Sequence, residues 1–303
     1  MGTARSGTSA GRWLFAPATD DVRREQAAAA GFLRVLLGLM WLYNVAWKLP
    51  PDFGKDADKG LYHFTSYAVS HPVLQPFSWV VEQAVLPNIV IFGWGVLIVE
   101  SALAVMLLTG AWVRVAAALG VGQSVAIGLS VAFGPHEWPW AYWLMIGAHV
   151  AVLFSSAGRV FAVDAVRSGV GRARNLGQVW GAIAVVVGGF SAVLSAGDTP
   201  LAARGSGLVS AELSLGFGEY NLLGSLVLVL AGALLLVSAR GGTALPGRGA
   251  AVVAAVAGLS LYAQTGFTDP LMGGTATSGA FLLSIAVVAA TVARAPGRAS
   301  PRD

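Results

Sequence analysis

Residues 88–133 read NIVIFGWGVLIVESALAVMLLTGAWVRVAAALGVGQSVAIGLSVAF. Two apolar runs, 88–110 and 112–133, meet at a tight turn, Gly110–Ala111. Each is close to the ~20 residues that a helix needs to cross the hydrocarbon of a bilayer. The pair reads as a membrane hairpin. A window of about 19 residues finds six more such runs, at 27–47, 138–157, 176–196, 220–239, 249–265 and 275–293. The run at 249–265 is short and is expected to tilt or lie partly in the interface. The fold class predicted is an all-α integral membrane protein of eight transmembrane helices.

Composition agrees. Of the 303 residues 56% are hydrophobic and 11% charged, against about 25% charged in soluble domains. Too little polar surface is left for a soluble enzyme, a disordered chain or a nucleic-acid-binding protein. Cysteine is absent, which excludes disulfides, thiolate metal sites, cysteine-ligated iron–sulfur clusters and cysteine nucleophiles.

The polar segment 1–26 holds Arg5, Arg12, Arg23 and Arg24, and the first apolar run starts only at Ala27. That is late for a secretory signal, and no small-residue cleavage site follows, so the run reads as a retained span. With the N-terminus inside, 14 of the 19 Lys and Arg fall in inner segments, four in outer ones (Lys48, Lys55, Lys59 and Arg204), and Arg34 alone in a span. This positive-inside bias places both termini in the cytoplasm. The class implies a bacterial plasma membrane, and 16 Arg against three Lys, with much Ala and Gly, suggests a GC-rich genome.

The chain divides near residue 175. All ten Trp lie at or before Trp180, and all four His at or before His149. The division predicted is a cytoplasmic segment 1–26, a four-helix domain 27–167, a basic linker 168–175, a second four-span domain 176–294 and a cytoplasmic tail 295–303. No repeat relates the halves, so an inverted-repeat transporter is not supported. Two outer segments are long: 48–87, in which 72–86 has the pattern of an interfacial helix, and the Gly/Ser-rich 197–219.

Ionisable residues inside spans are costly and by default functional. Three occur: Arg34, Glu100 and His149. Counted from the inner ends at 1.5 Å per residue they lie roughly 10, 15 and 13 Å deep, with Gln123 at roughly 18 Å. The four first spans thus each offer one polar group to one inner layer, where Arg34 and Glu100 are expected to pair. Two readings stand. The pair is a bundle staple with His149 and Gln123 bonding nearby, or the cluster is a site where histidine exchanges protons. Arg34, Gly38, Trp41, Val45 and Lys48 share one helical face, as do Trp138, Tyr142, Met145 and His149. Trp41, Tyr142 and Met145, with Gln123, would wall a pocket for a flat headgroup; an aromatic belt and core packing are the other reading, preferred for Trp138 and Trp140. His63, His71 and His136 match no ligand spacing, so no metal is expected. The Asp52–Gly60 run departs from a calcium loop, because counting from Asp56 the twelfth position is Tyr67. No phosphate-binding loop, dinucleotide fingerprint or opposed histidine pair for haem is present.

The first half resembles the DoxX family, which includes the small DoxD-like subunit of thiosulfate:quinone oxidoreductase. The likeness rests on Arg34-Val-Leu-Leu-Gly38 with Lys48, on Glu100 with Leu107-Leu-Thr-Gly110 and Arg114, and on Gly158-Arg159-Val-Phe-Ala-Val-Asp164. It covers about residues 27–167. The chain departs from the family at Asn44, where a small residue is common, in the long 48–87 loop, and in the second four-span block, which compact members lack. The resemblance implies a four-helix membrane bundle and redox work beside a catalytic partner and a quinone pool.

Three functions follow as expectations. The first is a membrane subunit of a quinone-linked redox complex, with Arg34, Glu100 and His149 binding or protonating the quinone headgroup and a partner enzyme supplying electrons. The second is a non-catalytic anchor that recruits an extracytoplasmic redox or stress enzyme through 48–87 and 197–219. The third is a small-solute or lipid-carrier transporter, although the polar groups line only one half.

Overall fold

The computed structural model describes residues 10–48, 50–202, 220–267 and 269–295. These residues are helical apart from turns and one isolated bridge, Tyr220 to Gly273. In chain order the helices are α1 (Ala10–Phe15), α2 (Arg24–Ala46), α3 (Gly60–Ser70), α4 (Gln75–Val80), α5 (Ile89–Thr109), α6 (Val113–Val131), α7 (Pro139–Leu153), α8 (Val163–Ser168), α9 (Ala173–Ser195), α10 (Leu222–Gly241), α11 (Ala244–Ala263) and α12 (Ala276–Arg294). Helix α4 runs straight into a π-helical turn, Val81–Val85, so a helix is present within the stretch 72–86 where one was expected. Helix α3 was not foreseen.

Among the described residues seven helices are long and apolar enough to cross a membrane: α2, α5, α6, α9, α10, α11 and α12. Helix α7 is apolar but has 15 residues. The expected fourth run extended to residue 157. The helix stops at Leu153 because the chain turns there, and the carbonyls of Ala157, Val160 and Phe161 point to Arg34 instead of continuing the ladder. Helix α11 is longer than its hydropathy suggested, 20 residues in all. Helix α9 takes in Ala173–Asn175 of the expected linker. The expected outer segment 197–219 lies mostly outside the described residues.

Gly110 adopts φ 67° and ends α5, and the α6 N-cap Trp112 is also left-handed, at φ 46°. A Cβ on Gly110 would collide with Arg34 and Ala162, so only glycine suits both the turn and the space. This turn lies on a face that also holds α1, α8 and the start of α2, hereafter the basic face. The opposite face carries α3 and α4. There Asp52 accepts from the backbone N–H of Gly54 and of Asp56, each at 3.3 Å. Those bonds, the Gly54 one first, hold its carboxyl below the usual range. Their contribution is therefore present at neutral pH and fades as pH falls through that lowered value. The turn pushes Phe53 fully inside, against Gly93 of α5, and so seats α3 over the helices.

Helices α2, α5, α6 and α7 form one bundle, and α9–α12 a second. The second is built on close approach of small residues, which is how helices gain contact where lipid removes the hydrophobic drive. A Cβ on Gly181 would lie 2.8 Å from Leu236 Cγ and 3.0 Å from the Gly232 carbonyl. Helix α12 joins the bundles. It packs on α5 and α2 as well as on α9, α10 and α11. Of its central window 78% is buried, against 33–50% for the other six long helices. Ala280 belongs to the same core as Leu37, Leu103 and Leu107. Tyr262 of α11 donates to Ser101 of α5 at 2.6 Å across the seam.

Candidate functional site

The face read on α2 is the buried one. Arg34, Gly38, Trp41 and Val45 are all enclosed, and Lys48, just past the helix end, is 5% exposed. Arg34, Trp41 and Lys48 are seven residues apart, so they stand at three levels spaced ~10 Å along the axis. Each level meets a different partner. The expected single polar layer is not formed.

At the basic face Arg34 donates to the carbonyls of Ala157 (2.9 Å), Val160 (3.4 Å) and Phe161 (3.3 Å). The expected Arg34–Glu100 pair is absent. The carbonyls of the turn after α7 have no helical partners, and the guanidinium serves them. Beside it the fully buried Asp164 accepts from the backbone N–H of Trp112 (3.1 Å), Val113 (3.0 Å) and Ala18 (3.4 Å) and from Arg167 (2.8 Å). It caps α6 from fifty residues away in sequence. Arg114 bonds Asp20 at 2.5 Å, and Arg159 bonds Asp21 at 2.7 Å. The Gly158–Asp164 stretch is thus a latch that fastens α6, α7 and the N-terminal segment together.

At the middle level Trp41 Nε1 donates to His149 Nε2 at 2.9 Å. An indole nitrogen can only donate, so Nε2 is the acceptor and the proton sits on Nδ1, which faces the Met145 carbonyl at 2.8 Å and Ser124 Oγ at 3.5 Å. Both ring nitrogens are engaged, and the ring is fully buried. Met145 contributes its carbonyl, and Tyr142 donates to Glu137. Here the histidine holds α2 to α7. His149→Phe removes the acceptor of a buried N–H, which costs about 1–3 kcal/mol. A lower Tm is expected, with part of the loss recovered in Trp41→Phe/His149→Phe. An unchanged Tm in the single variant would contradict this role.

The third level has the form of a binding site. Lys48 Nζ lies 3.0 Å from Glu100 Oε2, and Gln123 Nε2 donates to Glu100 Oε1 at 3.3 Å. Lys48 also lies over the Trp47 ring, 3.3 Å from its centroid. These groups line one end of a cavity of about 350 Å³ walled by Trp47, Phe64, Phe92, Val99 and Ile127. Phe92 and Val99 are also exposed on the outer surface of α5, and a Cβ on Gly95 between them would meet nothing. The cavity therefore opens sideways between α5 and α6, toward surrounding lipid. Leu61, Phe64 and Thr65 of α3 roof it.

Of the expected site residues, the cavity gathers Glu100 and Gln123 and leaves Arg34, Trp41, Tyr142, Met145 and His149 elsewhere. The charge census puts Lys48 in an outer loop, yet its place on the Arg34–Trp41 face is the signal that it turns inward. The walls from α3 and Phe92 had no such signal. Among the described residues no group of three or more His, Asp or Glu is placed to hold a metal ion. His63 instead bonds Tyr67 at 2.9 Å. No protein-family model, curated protein or solved structure matches the chain.

Proposed function

We propose that this multi-pass membrane protein binds a quinone headgroup in the Lys48–Glu100–Gln123 cavity, as the membrane subunit of a redox complex of the DoxX type. The observation that carries this reading is a buried ammonium and amide beside a carboxylate, at the end of an aromatic cavity that opens to lipid. Lys48 and Gln123 are the donors suited to a quinone's carbonyl oxygens. Trp47, Phe64 and Phe92 offer flat walls, and the lateral opening leaves an isoprenoid tail in the bilayer. A quinone supplies reversible two-electron, two-proton chemistry, and the electrons are assigned to a redox centre on a partner protein. Glu100 is the acid of the cavity and the group that can pass a proton where water is scarce.

Calorimetric titration of the purified protein with a short-tailed benzoquinone or naphthoquinone tests this. Saturable binding is expected, weakened about tenfold by Phe92→Ala and by Gln123→Leu, each removing about 1.4 kcal/mol of contact. The reading fails if the folded wild-type protein shows no saturable heat with either quinone.

The same proposal places the protein in a bacterial plasma membrane with eight crossings and both ends inside. Support comes from α7. Helix α6 starts beside Asp164 on the basic face, and Gly134, just after its end, lies against Tyr67 of α3. The chain must then return to Asp164, and α7 is the helix that takes it there. No native cysteine interferes with labelling. Asp56→Cys is expected to react with an impermeant maleimide in intact cells, and Ser168→Cys only after permeabilisation. Labelling of both from outside would remove α7 as a crossing.

A further inference from the structure

We infer that the seam between the bundles holds an anionic phospholipid from the leaflet at the basic face. Its acyl chains would lie in a groove between α5 and α11, and its phosphate between Arg167 and Arg294. Two adjoining cavities carry this. The larger, about 1050 Å³, has α12 as its floor and α5 and α11 as its sides, and its lining includes Ile98, Val105, Ala255, Leu259 and Leu283. Ile98 and Leu259 are 61% and 60% exposed, so the groove opens outward. The smaller, about 450 Å³, lies at the basic face and is lined by Trp112, Val166, Arg167 and Arg294. Both share Val287 and Ala290, so one leads into the other along α12.

Length and charge both select a lipid. From Leu283 to Arg294 α12 rises ~16 Å, which is one leaflet of a hydrocarbon core about 30 Å thick. The apolar part ends where guanidinium groups begin. Arg167 donates to Asp164 at 2.8 Å and stands 5.2 Å from the Trp112 ring centroid, with its side chain 34% exposed. An arginine has five donors, so most of its fork is left for a phosphate. Arg294 ends α12, is exposed, and has no hydrogen bond or ion pair among the described residues. Among the described residues the charged side chains that line the smaller cavity are Arg167 and Arg294, and Asp164, which lies outside that lining, pairs with Arg167 alone. The free charge is positive. Basic pockets between helices at a membrane surface take anionic headgroups in this manner, and Trp112 suits the interfacial level.

The test uses the purified full chain, delipidated and then titrated with phosphatidylglycerol or phosphatidylcholine, and read by native mass spectrometry and thermal unfolding. Phosphatidylglycerol is expected to stay bound and to raise Tm. Arg294→Gln is expected to weaken retention roughly fivefold, the loss of one basic residue near an anionic headgroup. That variant sits on an exposed side chain and leaves the fold intact. Ala255→Phe, which fills the groove and spares both arginines, is expected to abolish retention. Equal retention of phosphatidylcholine, or no change in Arg294→Gln, overturns the headgroup assignment. Unchanged retention in Ala255→Phe overturns the groove. None of these outcomes bears on the Lys48–Glu100 cavity, which lies on the other side of α5.

Discussion

Glu100→Leu is expected to lower the stability of the purified protein by about 3–5 kcal/mol, because it leaves an ammonium buried without its counter-charge. Lys48→Met should do the same to the carboxylate. Both groups are almost fully enclosed, with side-chain exposures of 2% and 1% at a separation of 3.0 Å. Joining the changes in Lys48→Met/Glu100→Leu removes both charges and leaves apolar groups of similar bulk. Most of the loss should then return. The four proteins can be compared by thermal unfolding in one detergent. If the single losses simply add in the double variant, the two groups are not coupled. The double variant also separates stability from function: it should fold nearly as well as the wild type while failing to bind quinone.

Asp164→Ala is expected to have a comparable effect on the opposite face. It strips the acceptor from three backbone N–H groups and from Arg167 at once. Each buried donor left without a partner costs about 1–3 kcal/mol, and the start of α6 loses its cap. Asp164→Asn keeps one carbonyl oxygen and should fall between the two. Hydrogen exchange at Trp112 and Val113 would report the loss directly. If those amides stay as protected in Asp164→Ala as in the wild type, the carboxylate is not what holds the turn.

Helix positions were legible because bilayer length is a coarse and strong constraint. Every long helix lies within a few residues of an apolar run. The buried face of α2 was legible for the same kind of reason, since Arg34, Trp41 and Lys48 repeat at heptad spacing. Partners were not legible. Depth counted from helix ends puts Arg34 and Glu100 together, but it ignores the length of a lysine stem and the pull of unserved carbonyls in a turn. Glu100 therefore met Lys48 from beyond a helix end, and Arg34 met the Ala157–Phe161 backbone. Asp164 was visible only as the last residue of a family-like stretch. Its work depends on α6 and on residue 18, contacts that no local pattern encodes. The cavity walls from α3 depend on Phe53 finding Gly93, which is likewise a long-range fit.

Burial and birth order run opposite ways in this molecule. The most enclosed of the described long helices, α12, is made after every long helix it packs on. Until it arrives, the α5 surface around Leu103 and the α2 surface near Leu37 lack the helix that covers them. The early bundle must therefore persist as an unfinished half with its final joint open. Substitutions that slow insertion of α12 should then show first as quality-control loss of whole chains, before any change at a ligand site.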